Sequence, residues 1–332
     1  MPLEHVPIID LAPLFGDDAA ARAGLGRKVD QALVDIGFLV IVNHGVDPAL
    51  LDEMDRTSRA FFDLDMAEKA RVANNVTGAF RGYVGYGGEN LAYTEGDKTP
   101  PDLKEMFVIG PPDATAEDLP EDAVGRAARA PNLWPERPAT LRPVFERYYW
   151  ALGELRDRVM QTFALALGLA DDHFADCFSK SASTLRATNY PAQDRTPAPG
   201  QLRAGAHTDY GAVTILAMDD SPGGLQVRTR RGEWIDVPVI PGAFVVNIGD
   251  LMGTWTNDRW LSNMHRVVNP PSEVAGTARR QSIVYFANPN HDAVIACLPP
   301  CHGPDNPPKY PPMTAGEHRM RKILASATKA AE

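Results

Sequence analysis

A mainly β protein with helices packed beside a barrel or jelly roll is expected from this chain, and a change of hydrophobic period is what points to it. From about residue 183 short apolar or alternating runs follow one another at 184–190, 203–207, 212–218, 224–228, 234–237, 243–247, 263–268 and 279–287, separated by Gly, Pro and Asp turns. Short strands punctuated in this way belong to barrels and jelly rolls. Before that point the apolar residues recur at helical spacing. The clearest case is 139–168, where Val144, Tyr148, Leu152, Leu155, Val159, Phe163 and Leu167 form one stripe.

In chain order, Val6 to Leu11 read as a short strand, and residues 19–36 as a helix with Leu25, Val29, Leu33 and Ile36 on one face. Gly37 ends that helix. Phe38 to Val42 is a continuous apolar run, the mark of a buried strand, and Asn43-His44-Gly45 is the turn after it. The next helix opens at Asp47 or Pro48 and runs to about Val72. Residues 74–104, rich in Gly, Tyr and charge, read as a long, partly mobile loop or hairpin of the kind that often covers an active site. Residues 111–138 look irregular, Gly168 stops the long helix, and a last helix is expected over 314–328. The expected organisation is an N-terminal region over 1–125 whose strands join the core, a connecting segment and long helix over 126–182, the β core over 183–295, and a tail with a helix over 296–332.

The 332 residues are 44% hydrophobic and 23% charged, an ordinary globular balance. A net charge of -10 argues against nucleic acid and anionic membranes as partners, since both need basic patches, and leaves room for a small anionic molecule held by local arginines. The three cysteines, Cys177, Cys297 and Cys301, cannot close a disulfide framework. The N-terminus lacks the basic and apolar regions of a signal peptide, and no apolar run approaches the ~18 residues of a membrane span. A cytoplasmic protein with a small-molecule partner is expected, and no feature marks an oligomeric state.

Candidate chemistry starts at His207-Thr208-Asp209. Alternate side chains of a strand share a face, so one imidazole and one carboxylate can point the same way. A second imidazole from another strand would complete a facial triad for Fe(II) and leave coordination positions open. Among the eight histidines, His265 in Asn263-Met264-His265-Arg266-Val267-Val268 has the strand context for it. Arg280-Gln281-Ser282 repeats the i, i+2 pattern, and a guanidinium beside a hydroxyl makes a carboxylate grip.

In these motifs the chain resembles the isopenicillin N synthase-like branch of the Fe(II)/2-oxoglutarate oxygenases. Val6 to Leu11, Gly37 to Val46, Asn189-Tyr190-Pro191, Gly223 to Val227 and the His207/Asp209, His265 and Arg280/Ser282 motifs carry the likeness over nearly its whole length. The resemblance implies a double-stranded β-helix (jelly roll) core flanked by helices. It implies Fe(II) on His207, Asp209 and His265, with 2-oxoglutarate and O2 as co-substrates. The far carboxylate of 2-oxoglutarate would meet Arg280 and Ser282, helped by the Tyr190 hydroxyl. The reaction would release succinate and CO2 while a small molecule is hydroxylated or desaturated. Two alternatives share part of the pattern: an isopenicillin N synthase-like oxidase that spends no 2-oxoglutarate, and a non-catalytic iron or 2-oxoglutarate sensor.

Strand phase then extends the site to the substrate. Arg186, Thr188 and Tyr190 alternate on one strand and share a face. An inward Arg186 needs an anion, either a substrate carboxylate or an internal acid such as Glu89 or Asp102. Tyr210 follows Asp209, and Phe286 shares the face of Ser282, so both are expected near the substrate. The chain also resembles the ethylene-forming enzymes of the family at Gly82-Tyr83-Val84, Arg186 and His207 to Gly211, but their arginine-binding residues have no match in 314–328.

Overall fold

A computed structural model describes residues 4–73, 81–92, 99–114, 125–126 and 129–322. The strands of the two main sheets are β1 (Ile8–Asp10), β2 (Phe38–Val42), β3 (Gly82–Val84), β4 (Glu105–Ile109), β5 (Thr184–Tyr190), β6 (Ala204–His207), β7 (Val213–Met218), β8 (Leu225–Arg228), β9 (Trp234–Asp236), β10 (Phe244–Ile248), β11 (His265–Val267) and β12 (Arg280–Ala287). The helices used below are α1 (Ala19–Asp35), α2 (Pro48–Phe62), α3 (Met66–Ala70), α4 (Leu141–Leu167), α5 (Asp250–Trp255) and α6 (315–322).

The eight-stranded sheet runs β1-β2-β10-β7-β12-β5-β4-β3, and the four-stranded sheet β6-β11-β8-β9. Among the described residues only β1 and β2 pair in parallel within these sheets. Both faces of the large sheet are covered. On β2, Leu39 and Ile41 pack toward the helices with Val29, Leu33, Leu155 and Phe163, while Phe38 and Val40 pack between the sheets with Val227, Val245 and Val267. Burial on both sides is why this strand reads as an unbroken apolar run. The fold is the expected jelly roll with helices at its side.

Local chemistry sets the ends of the helices. Asp18 Oδ1 accepts from the N–H groups of Ala20 (2.8 Å) and Ala21 (3.1 Å) and starts α1. The single helix expected from Asp47 to Val72 is instead two. α2 closes at Asp63, and Asp65 caps a new helix by accepting from the Glu68 N–H at 2.8 Å. β4 was not anticipated. Its five residues are all buried, and Glu105 at its head, which interrupts the apolar pattern, is neutralised by Lys69 at 2.9 Å. The Gly-rich segment contributes a strand, β3, antiparallel to β4, while its residues 74–80 and 93–98 lie outside the described residues. The same is true of 115–124 and 127–128 in the irregular segment and of the expected last helix beyond 322. Among the described residues no helix is long and apolar enough to cross a membrane.

Gly37 joins α1 to β2 at φ +71°, where an added Cβ would collide with the Leu261 carbonyl oxygen. Gly37→Ala is expected to cost on the order of 2 kcal/mol or more. A urea midpoint equal to that of the parent protein would show that the turn can re-form around a side chain.

Candidate active site

β6 ends at His207, β11 begins at His265, and the two are register partners in the small sheet. His207 Nδ1–H donates to the Gly205 carbonyl at 2.8 Å, and His265 Nδ1–H donates to the Asn263 carbonyl at 3.1 Å. Both Nε2 lone pairs are thereby turned toward Asp209 Oδ1, at 3.9 and 3.8 Å. Asp209 Oδ2 is occupied elsewhere: it accepts from Thr214 Oγ1 at 2.6 Å and Asn247 Nδ2 at 2.7 Å. One ligand atom from each of the three residues lies within 4.8 Å of the others.

Burial, reinforced by the neighbouring His265, pushes the His207 imidazole down to about 3, so it is neutral at physiological pH. Burial works against the Asp209 carboxylate, but the two imidazoles and its two hydrogen bonds outweigh it and hold the carboxyl below its ordinary range. Two imidazole nitrogens and one carboxylate oxygen, each oriented by a hydrogen bond on its far side, fit a divalent iron ion with open positions.

A narrow cavity of about 70 Å³ runs between the sheets from this triad to Arg280, past Thr188, Tyr190 and Ser282. Arg280 is opposite Tyr190, and Ser282 opposite Thr188, in the β12–β5 register. Thr188, expected at the substrate, lines this cavity instead. Arg280 is 1% exposed. Its Nη1 donates to the Asp219 carbonyl (2.9 Å) and Oδ1 (3.2 Å), an internal acid the sequence reading did not foresee. That acid is shared, because Asp219 Oδ2 also accepts from Arg59 and from the Gln281 N–H, both at 2.7 Å. Arg280 Nη2 reaches only the Met218 sulfur at 3.4 Å, and Nε has no partner among the described residues. A buried guanidinium with unmet donors fits an incoming carboxylate. Arg279 points the other way, to Asn189 Oδ1 (2.8 Å) and Asp63 (2.5 Å).

On its other side the triad opens into a chamber of about 400 Å³. Leu91, Arg186, His207, Asp209 and Phe286 border both spaces. Tyr210 and Thr208 line the chamber, as do Arg81 and Arg319, which sequence reasoning missed. Arg186 pairs with Glu89 at 3.3 Å, and its guanidinium lies over the Phe286 ring at 5.1 Å. Lys104 holds Glu89 more closely at 2.7 Å and Asp102 at 3.0 Å. Burial would raise the Glu89 carboxyl, but Arg186 and Lys104 hold it down at about 2. Asp102 Oδ1 accepts from the Gly205 N–H at 2.9 Å, which ties this network to the strand that carries His207. A Cβ at Gly205 would sit 2.8 Å from that of Ala92, so the Gly-rich segment packs on β6 with no room to spare.

Comparison with known proteins agrees with this geometry. Residues 6–137 match the family described as non-haem dioxygenase in morphine synthesis N-terminal, and residues 181–289 match the 2OG-Fe(II) oxygenase superfamily. The chain belongs to the 2OG-Fe(II) oxygenase superfamily. It is 34% identical over 312 residues to the 2-oxoglutarate-Fe(II) type oxidoreductase hxnY of Emericella nidulans, covering 93% of this chain and 86% of that protein. It is 33% identical to a homoarginine-6-hydroxylase of Glycine max, with 97% of each chain covered. A full-length Neurospora crassa protein crystallised with alpha-KG and thymine superposes with a TM-score of 0.83 at 30% identity, again with 97% of each chain covered.

The protein is thus an Fe(II)- and 2-oxoglutarate-dependent oxygenase. Iron, when bound, supplies the O2 chemistry that couples oxidative decarboxylation of 2-oxoglutarate to oxidation of a substrate. The oxygenase itself supplies geometry. Asn247 and Thr214 engage the second oxygen of Asp209, so Oδ1 is the atom that would meet the iron. Asn247→Ala is expected to weaken Fe(II) binding about 10- to 100-fold, the usual effect of losing such an outer partner. Anaerobic calorimetry with Fe(II) reads this directly, and parent-like affinity would relieve Asn247 of the role.

Proposed function

We propose that this oxygenase hydroxylates or desaturates a small molecule that carries a carboxylate. 2-Oxoglutarate would occupy the narrow cavity and the substrate the chamber. The observation that carries the reading is that two spaces of different size and lining meet at His207 and Asp209. In this reading His207, Asp209 and His265 hold the iron. The Arg280 fork and the Ser282 hydroxyl take the far carboxylate of 2-oxoglutarate, with Tyr190 beside them. Hydroxylation then balances as substrate C–H, 2-oxoglutarate and O2 giving substrate C–OH, succinate and CO2; desaturation gives water in place of the hydroxyl group.

The relatives do not name this chain's substrate. One is a homoarginine hydroxylase, and another holds thymine in its crystal structure. The chamber supports an acid. Apart from the ligand Asp209, its lining sets three arginines, Arg81, Arg186 and Arg319, against one carboxylate, Glu89. A cation-rich lining among the described residues, in a partly dry space, favours an anionic guest. Leu91 and Phe286 at the junction add apolar surface beside the reacting centre.

Two measurements test the reading. Arg280→Ala is expected to raise the KM for 2-oxoglutarate by some tens- to thousandfold, the usual cost of truncating a buried charged contact. Arg279→Ala should change it little, and the reverse order would invert the strand phase assumed here. In a substrate screen that follows succinate release under air, small carboxylic acids are expected to stimulate turnover more than their primary amides. Equal stimulation by acid and amide would remove the carboxylate from the proposal.

A further inference from the structure

The three chamber arginines are not equivalent. Arg186 already has Glu89 as its carboxylate, engaged by Nη1 at 3.3 Å, although its Nε has no partner among the described residues. Arg81 donates from Nε to the Ala130 carbonyl at 3.1 Å and is buried against the main chain of Gly110. Arg319, on α6, lines the chamber and is paired with no carboxylate among the described residues. Burial lowers its guanidinium from the ordinary range, and among the described residues no acid acts in the other direction. It also faces a like charge. Arg81, pushed down to about 10 first by burial, is lowered further by Arg319. Arg81 and the half-buried Arg319 line the same chamber, and an anion at Arg319 would meet the donors of its fork and offset two like charges there.

The base of Arg319 is fixed. One turn further along α6, Lys322 pairs with Asp250 at 2.6 Å, and Asp250 also accepts from Ser262 (2.6 Å) and Thr208 (3.2 Å). Thr208 lies between the ligands His207 and Asp209. The helix that presents Arg319 is therefore tied to the strand segment that presents the metal ligands. A group held at Arg319 is held at a set position relative to the triad.

We infer that Arg319, backed by Arg81, is the residue that captures the substrate's carboxylate, and that Arg186 is a structural partner of Glu89. This rests on the reading above that the substrate is an acid. The planar fork of a guanidinium matches a carboxylate in two parallel hydrogen bonds, so Arg319 would select acids over amides and esters of the same shape. The assignment differs from strand-phase reasoning, which pointed to Arg186 because it shares a face with Tyr190.

The test uses the full chain loaded with Fe(II) and 2-oxoglutarate under nitrogen. Calorimetry measures the binding of a stimulating acid and of its primary amide. In the parent protein the acid should bind more tightly. In Arg319→Gln the acid is expected to weaken by roughly thirtyfold or more while the amide changes far less, so the preference collapses. Arg319→Lys should recover part of it, which separates lost charge from lost folding. Arg186→Gln should keep the preference. An Arg319→Gln protein that still prefers the acid, or one that weakens acid and amide alike, overturns the assignment to Arg319. Loss of the preference in Arg186→Gln with retention in Arg319→Gln overturns it in favour of Arg186. A parent protein that binds the amide as well as the acid overturns the acid reading itself, whatever the variants do.

Discussion

The two-residue period of the large sheet governs where everything else can sit. One face of that sheet must cover the helices and the other must face the small sheet. Each strand therefore divides its residues between an apolar core and the interior where the chemistry lies. On β5, Leu185 and Ala187 join the helix-side core, while Arg186, Thr188 and Tyr190 line the interior. On β12, Ile283, Tyr285 and Ala287 go to the helices and Arg280, Ser282 and Phe286 go inward. On β10, Phe244, Val246 and Ile248 go to the helices, and Asn247 between them reaches Asp209. A slip of one residue in any of these strands would bury the charged set against α4 and turn the apolar set into the cavity, so packing energy enforces the geometry of the site.

Burying this much charge is tolerable only because nearly all of it is paired. Glu89, Lys104, Asp102 and Arg186 form one connected group, and Asp219 serves Arg59, Arg280 and the Gln281 N–H at once. Truncating one member of such a group leaves another charge stranded, which is the costly event, whereas the intact pairs contribute little net stability. Against that background the incomplete cases carry information. Arg280 keeps an unmet Nε, as do Arg186 and Arg203, and Arg319 has no carboxylate beside it among the described residues. Arg280 and Arg319 lie in different cavities bordered by the same two ligands, His207 and Asp209, as expected if two anions must be brought to one metal from opposite sides.

Much of this was legible in the sequence because it is local. The eight runs expected after residue 183 all appear as strands, since alternation and turn residues are short-range signals. The iron ligands could be proposed from H-x-D on a strand plus one further histidine. What escaped was set by partners far apart in the chain. Thr214 and Asn247 are ordinary strand residues until β7 and β10 bring them to Asp209 Oδ2. Gly205 looks like a weak spot in a strand until Ala92 is seen against it. β4 was hidden by Glu105, whose charge is acceptable in a buried strand only because Lys69 comes from α3 to meet it. Arg319 sits in a helix with no sequence motif. Its significance is the absence of an acid beside it among the described residues, which no spacing rule can express.

The two ends of the site also differ in what they are built from, and this bears on how one fold serves several substrates. The end proposed for the co-substrate is made by strands of the jelly roll itself: Tyr190 on β5, Arg280 and Ser282 on β12. Those positions are held by register and by cores on both faces. The substrate end draws on elements attached to that core, with Arg81, Glu89 and Asn90 from the segment around β3 and Arg319 from α6. β3 pairs with β4 and Ala315 of α6 packs in the core, and two further ties, Asp102 to the Gly205 N–H and Lys322 to Asp250, join these elements to the site. Those two ties end on the stretch from Gly205 to Thr208 or on the acid that holds it, so they reference the attached elements to the metal strand. A substitution on α6 or in the Gly-rich segment can then change what the chamber accepts without disturbing the strand register that positions the triad and Arg280. Relatives about 30% identical over nearly the whole chain, one a homoarginine hydroxylase and one binding thymine, are what such a division of labour would produce.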